Sequence, residues 1–108
     1  MMIIEFIDQR GVSLFGDWFD DLDAIAALKI TTALARLEQG NTSNVKSVGG
    51  GVFETRIDFG PGYRVYFGKD GDTIIILLGG GTKRRQDRDI ANAKTAWADY
   101  KARKKEQG

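Results

Sequence analysis

The chain has 108 residues, 42% of them hydrophobic, with a formal net charge of +1 and with neither cysteine nor histidine. This length allows one compact domain, residues 1–108, and leaves no room for a second. The absence of cysteine excludes disulfides and thiolate metal ligands. The absence of histidine excludes imidazole metal ligands and the side chain whose ordinary pKa lies near 7. We therefore expect no metal and no cofactor.

The N-terminal half is predicted to contain one strand and two helices. Residues 2–8 are apolar and favour a strand. Ser13 can cap a helix in which apolar residues recur at one-turn spacing, and Asp23 can cap a second helix that ends at Gly40. A short strand at residues 44–48 is expected before a run of three glycines. Residues 13–39 are therefore expected to form a helical hairpin or one bent helix pair.

From residue 53 onward the period of the apolar positions changes from 3.6 to 2, which predicts two antiparallel hairpins. With Gly60-Pro61-Gly62 as the first turn, Ile57 is expected opposite Val65. With Asp70-Gly71 as a two-residue second turn of the primed type, Val65 is expected opposite Ile76. Both turns then give one consistent core face.

The other face of this sheet is predicted to be polar. By these registers it carries Glu54, Arg56, Asp58, Arg64 and Tyr66 above a floor of Ile75 and Leu77. Arg64 is expected opposite Asp58, in a surface ion pair that contributes roughly 0 to 1 kcal/mol. Because the last strand is apolar on both faces, we expect the polar face to be partly enclosed and concave.

The last strand is predicted to end at Gly79-Gly80-Gly81, where the glycines let the backbone turn. A helix of about fifteen residues is expected from near Asp87, with apolar residues along one side. The basic residues that follow it are expected to form a frayed tail.

The net charge conceals opposite charges on the two halves. Residues 1–45 carry three basic and seven acidic side chains, whereas residues 46–108 carry thirteen basic and eight acidic ones. A basic half is typical of polyanion binding, although solvated faces of ordinary helices and strands would give the same count. No signal peptide or membrane span is recognisable, which predicts a cytoplasmic protein without membrane contact.

The basic residues of the second half suggest a site for a phosphodiester. A guanidinium group can bind two phosphate oxygens at once through two parallel hydrogen bonds, and a nucleic-acid base can stack on the face of an aromatic ring. The alternative is a set of ordinary cross-strand ion pairs. The predicted site contains Arg56, Arg64, Lys83, Arg84 and Arg85, with Tyr66 among them and with Lys46 and Arg88 at the edge.

This set of side chains suits RNA cleavage by the substrate's own 2′-hydroxyl. That reaction needs cations to stabilise the charge on the non-bridging oxygens, and groups that transfer two protons. A lysine among other cations could exchange protons nearer neutrality, with Tyr66 as a competitor. The three glycines before Lys83 do not form a Walker motif, because no Gly-Lys-Ser/Thr sequence opens a helix there.

Residues 54–93, ETRIDFGPGYRVYFGKDGDTIIILLGGGTKRRQDRDIANA, resemble the RelE/ParE superfamily of type II toxins. The resemblance is closest to the phage-related "addiction module killer protein" (HigB/RelE-like) branch. It rests on the GPGYRVYF hairpin, the LLGGG-x-K strand end and the Q-x-x-D-I helix start. It implies a single small α+β domain, with an N-terminal strand and helical hairpin packed on a curved antiparallel sheet and with a C-terminal helix.

The resemblance also implies a function. Many RelE-type proteins cut mRNA on the ribosome without a metal. For this chain we also expect a cognate antitoxin that neutralises it, of the helix-turn-helix type and encoded next to the toxin. Arg56 and Arg64 match the basic sheet positions of the RelE-type site, and Lys83 and Arg84 match its basic strand-end positions. These four are the expected catalytic residues, and Tyr66, Arg85, Lys46 and Arg88 are the expected substrate-binding residues.

Two alternatives remain open at this stage. ParE-type proteins share the fold but poison DNA gyrase without catalysis, and a non-toxic nucleic-acid-binding module would also carry a basic face. Several RelE-type enzymes have a catalytic tyrosine near the C-terminal helix, and this chain has Asp89-Ile90 at the comparable place. The general base is therefore unassigned.

Overall fold

A computed structural model describes residues 1–107, which form five strands, three α-helices and one 3₁₀ turn. The strands lie in one sheet in the order β1-β5-β4-β3-β2, in which β1 runs parallel to β5 and all other neighbours are antiparallel. The predicted α+β fold is confirmed, and the N-terminal strand joins the sheet as a parallel edge. The elements are β1 (Met2–Glu5), α1 (Leu14–Asp20), α2 (Ala24–Glu38), β2 (Val45–Gly49), β3 (Val52–Ile57), β4 (Tyr63–Asp70), β5 (Ile74–Thr82), the 3₁₀ turn (Lys83–Arg85) and α3 (Gln86–Gln107).

Both predicted helix caps are confirmed. The Ser13 hydroxyl accepts a hydrogen bond of 2.8 Å from the backbone N–H of Gly16, and the Asp23 carboxylate accepts one of 2.8 Å from that of Ala26. Such bonds satisfy N–H groups that have no partner within the first helical turn. They fix where α1 and α2 begin. Both helices pack their apolar sides on one face of the sheet.

The register of the first hairpin differs from the prediction by two residues. Ile57 pairs with Tyr63, and Thr55 pairs with Val65, because the loop spans residues 58–62 rather than three residues. A shift by an even number leaves each side chain on its predicted face. Arg56 and Arg64 therefore share the predicted face, but they lie opposite each other in the ladder, so the predicted pairing of Arg64 with Asp58 is wrong.

The register predicted for the second hairpin was wrong by three residues next to the turn, and this odd shift reverses the faces of Ile75, Ile76 and Leu77. Beyond a bulge between Tyr66 and Phe67 the shift becomes four residues, so Val65 pairs with Gly80 and not with Ile76. The loop of this hairpin has three residues, Gly71 to Thr73, because Asp70 pairs with Ile74. A shift by an odd number moves each side chain to the opposite face. Ile75 and Leu77 consequently join the core under α1 and α2, so the predicted floor beneath the polar face is also wrong.

The polar face of the sheet is covered by α3. Ile76 and Leu78 lie on this side, where they form a second core with Tyr66 and with the α3 residue Trp97. This face is thus enclosed as predicted, but more completely than the partial enclosure that was expected, since Glu54 and Tyr66 are fully buried. At its far end, beyond the start of α3, this face is left open as a cleft.

The three glycines at residues 79–81 lie within β5 and do not make a turn, contrary to the prediction. None of them has a positive φ angle. A Cβ atom at Gly80 would overlap the indole ring of Trp18 from α1, and one at Gly68 would overlap that of Trp97 from α3. Each face of the sheet thus holds a tryptophan against a strand glycine.

The contact between Trp18 and Gly80 predicts that substitutions at two neighbouring glycines differ in their effect on stability. Gly80→Ala forces Trp18 off the sheet and should lower the free energy of unfolding by about 1–3 kcal/mol, the usual cost of overpacking. Gly79→Ala adds a Cβ atom that meets nothing within 4 Å, so its effect should stay within about 1 kcal/mol. Urea unfolding of both variants compares them directly. Equal destabilisation would show that strand conformation, and not the Trp18 contact, requires glycine.

The C-terminal helix is longer than predicted and is anchored at its end. Arg103 donates a hydrogen bond of 2.8 Å through Nη1 to the carbonyl oxygen of Ile7. Lys104 forms an ion pair with Asp70, and Tyr100 donates its hydroxyl hydrogen to the same carboxylate. These two contacts lower the pKa of Asp70. The predicted frayed tail is therefore wrong for the residues described here.

Candidate functional site

A cleft of about 220 Å³ lies at the end of the sheet that α3 leaves uncovered. Arg56 enters it from β3, Arg64 from β4 and Lys83 from the 3₁₀ turn after β5. The backbone N–H of Lys83 donates a hydrogen bond of 2.8 Å to the carbonyl oxygen of Gly62, which ties the turn to the first hairpin loop. Three of the four residues expected to be catalytic are thereby brought together. The rest of the lining is Asn44, Ile57, Asp58 and Gly62.

The remaining basic residues of the predicted site lie around the cleft but do not line it. The exposed side chains of Arg84, Arg85 and Arg88 border a neighbouring surface cavity of about 440 Å³, which also includes Lys83. Lys46 is exposed on the edge strand β2, where it pairs with Glu54 in the ladder. Arg84, Arg85 and Arg88 thus form a largely cationic surface beside the cleft, and this surface also includes Asp87.

Arg64 is held by a buried carboxylate that the sequence analysis did not assign to the site. Its Nε atom lies 3.3 Å from Oε2 of Glu54, and the two side chains are 11% and 0% exposed. The two atoms form an ion pair but are not aligned as a hydrogen bond. The other oxygen of Glu54 accepts a hydrogen bond of 2.9 Å from Nε2 of Gln86, the first residue of α3.

This arrangement positions Arg64 while leaving its hydrogen-bonding capacity incompletely used. Burial restricts Glu54 to one place, and Gln86 fixes its orientation, so the guanidinium of Arg64 has a fixed neighbour on one side and the cleft on the other. A preorganised donor of this kind is suited to a negative charge that forms during a reaction.

Tyr66 cannot fill the role predicted for it. Its side chain is fully buried beneath α3, so the ring offers no face for a base to stack on. Burial raises the pKa of Tyr66, and the negative charges of Glu54 and Asp89 raise it further. The hydroxyl therefore stays protonated, and Tyr66 cannot serve as a general base near neutral pH.

Asp89 is a second carboxylate at this end of the sheet. Its Oδ2 atom is buried without a hydrogen-bond partner among the described residues, and it packs against Gly81, the ladder partner of Arg64. Burial raises the pKa of Asp89, and the positive charges of Arg85 and Arg88 act in the opposite direction. A side chain larger than glycine at residue 81 would not leave room for this carboxylate in its present position.

Sequence reasoning missed Glu54, Gln86 and Asp89 as parts of the site. Glu54 was assigned to a polar face that was only partly enclosed, whereas it is fully buried. The available signal was the place of Glu54 in a strand between Val52 and Arg56, whose side chains lie on the same face of the sheet. Once a helix covers that face, the carboxylate is buried and needs a cation. Among residues 1–107 no group of three or more acidic, histidine or cysteine side chains is arranged to hold a metal ion.

Comparison with known proteins assigns this chain to a family. Residues 17–101 match the family model described as "Phage derived protein Gp49-like (DUF891)". The chain belongs to the Gp49-like family. It is also 46% identical over 81 residues to a Haemophilus influenzae protein described as "Uncharacterized protein", a match that covers 74% of this chain and 82% of that relative.

The Gp49-like match includes every residue that lines the cleft. It begins in α1 and ends in α3, so it contains Arg56, Arg64 and Lys83 together with Glu54 and Gln86. The Gp49-like family consists of candidate addiction-module killer proteins. No helix of residues 1–107 combines the length and apolar character needed to cross a membrane.

Proposed function

We propose that this chain is the toxin of a type II toxin–antitoxin module and that it cleaves mRNA as an endoribonuclease. The observation that carries the proposal is the convergence of Arg56, Arg64 and Lys83 in one cleft, where Asp58 is the one carboxylate among the lining residues that the structure describes. Membership of the Gp49-like family supports it independently.

The size of the cleft suits one phosphodiester of a longer chain. Its volume of about 220 Å³ lies below the range of roughly 300–1,000 Å³ typical of pockets that enclose a whole small molecule. A polynucleotide needs only its scissile phosphate in such a cleft, because the chain continues outside on both sides. Arg84, Arg85 and Arg88 next to the cleft, and Lys46 at the sheet edge, would then bind neighbouring RNA.

The proposed reaction is an in-line attack of the ribose 2′-hydroxyl on the adjacent phosphorus. The new bond closes a 2′,3′-cyclic phosphate, the bond from phosphorus to O5′ breaks, and the second fragment leaves with a 5′-hydroxyl. Arg56, Arg64 and Lys83 stabilise the charge on the non-bridging oxygens. Asp58, the carboxylate that lines the cleft, accepts the proton of the 2′-hydroxyl as general base, and the ammonium group of Lys83 donates a proton to O5′ as general acid.

We further propose that the protein acts in the cytoplasm on ribosome-bound mRNA and that an antitoxin encoded nearby neutralises it. A cationic cleft favours a partner that presents acidic side chains. Residues 1–108 would supply this activity as one domain. The required proton transfers use this chain's own carboxylate and ammonium groups.

Primer extension on mRNA from cells that briefly express the protein tests this function. We expect new 5′ ends at defined positions within coding regions, and the same ends should be absent when the cleft is disabled by Arg56→Gln with Lys83→Gln. Intact mRNA together with inhibited DNA supercoiling would contradict the proposal and would indicate a gyrase poison.

A further inference from the structure

A second groove leads away from the cleft across the surface of α2. It has a volume of about 380 Å³, and Asn44, Arg56 and Asp58 are among the residues that line both spaces. One wall of the groove is formed by the residues that it shares with the cleft, and the other wall by α2 between Leu28 and Arg36. A strand that leaves the cleft on this side would enter the groove without crossing another element.

The basic residues of this groove stand out because the surrounding half of the chain is acidic. Residues 1–45 contain three basic side chains in all, and two of them, Lys29 and Arg36, line the groove. They are seven positions apart on α2, which places them on one side of the helix and about 10 Å apart along its axis. The Lys29 ammonium lies 5.3 Å from the ring centre of Phe59, which holds it at the groove.

We propose that this groove binds the RNA strand adjacent to the scissile phosphate, with Lys29 and Arg36 contacting successive parts of its backbone. This inference rests on the proposed nuclease function. A basic groove that follows the backbone is the usual way in which proteins bind single strands without reading their sequence. Together the groove and the cleft form one continuous track with cations contributed by α2, β3, β4 and the 3₁₀ turn.

The test is the salt dependence of RNA binding by the full-length chain. The probe is a single-stranded RNA octamer carrying 2′-O-methyl groups, which cannot be cleaved by 2′-hydroxyl attack, and binding is measured by fluorescence anisotropy. Lys29→Gln with Arg36→Gln is compared with Lys101→Gln with Lys105→Gln, which removes the same charge from the exposed surface of α3.

We expect the groove variant to bind the octamer roughly tenfold more weakly at low salt, and the plot of log affinity against log salt to lose about 0.7 in slope for each phosphate contact removed. The α3 variant should lose much less affinity at low salt and much less of the slope. A trinucleotide, which is long enough only for the cleft, should bind the wild type and the groove variant equally.

Four results would overturn the proposal. Equal losses in the groove and α3 variants would show a general charge effect. An octamer that the wild type does not bind, while mRNA is still cleaved on ribosomes, would refute the groove and leave the nuclease function standing. If the groove variant keeps its RNA affinity and instead escapes the antitoxin, the groove binds a protein. Absence of both binding and cleavage would refute the nuclease function as well.

Discussion

Replacing Arg64 with alanine is expected to lower the free energy of unfolding by about 3–5 kcal/mol, because it leaves the buried carboxylate of Glu54 without its cation. The two side chains are 11% and 0% exposed, so solvent cannot take over the role of the guanidinium. A surface ion pair with Asp58, which the sequence suggested, would cost roughly 0 to 1 kcal/mol. Urea unfolding measures the difference.

Arg56→Ala is the matched control, since Arg56 lies opposite Arg64 in the ladder but is exposed. It should change the free energy of unfolding by less than about 1 kcal/mol. Replacing Arg64 and Glu54 together, with Met and Leu, should recover much of the loss because no buried charge remains unpaired. If Arg64→Ala alone proves as stable as the control, the buried pair does not support the fold.

The second large effect concerns activity. Arg56→Gln and Lys83→Gln should each reduce RNA cleavage on the order of a hundredfold, the typical cost of losing one group that stabilises transition-state charge. Both side chains are exposed, so the melting temperature should stay within a few degrees of that of the wild type. Cleavage rates are measured on ribosomes programmed with a defined mRNA.

Lys105→Gln provides the control for charge alone, because it removes one exposed cation near the end of α3, away from the cleft. It should leave the cleavage rate within about twofold of the wild type. Retention of full activity by both Arg56→Gln and Lys83→Gln would show that the cleft is not where RNA is cut.

The sequence was sufficient to predict the elements and the faces of the first hairpin, because those depend on local spacing. Ser13 and Asp23 cap their helices as their residue types suggest. The first register was wrong by two residues, and the even shift left Arg56 and Arg64 on the predicted face. The cleft could therefore be anticipated in part, through the cations that line it.

The second hairpin shows what local patterns could not determine. Asp70-Gly71 favours a two-residue turn, yet the loop has three residues, and β5 is apolar on both faces, so alternation alone could not select its register. The packing of Trp18 against Gly80 and the cover provided by α3 depend on contacts distant in sequence. For the same reason the burial of Glu54 and Tyr66 could not be read from β3 and β4 alone.

The ends of the RNA fragments test the central claim most directly. Purified protein is added to ribosomes programmed with mRNA, and the chemistry of both new ends is determined. Cleavage by the 2′-hydroxyl in a cationic cleft predicts a 2′,3′-cyclic phosphate on one fragment and a 5′-hydroxyl on the other, both lost with Lys83→Gln. Fragments with a 3′-hydroxyl and a 5′-phosphate, or uncut mRNA, would contradict this account.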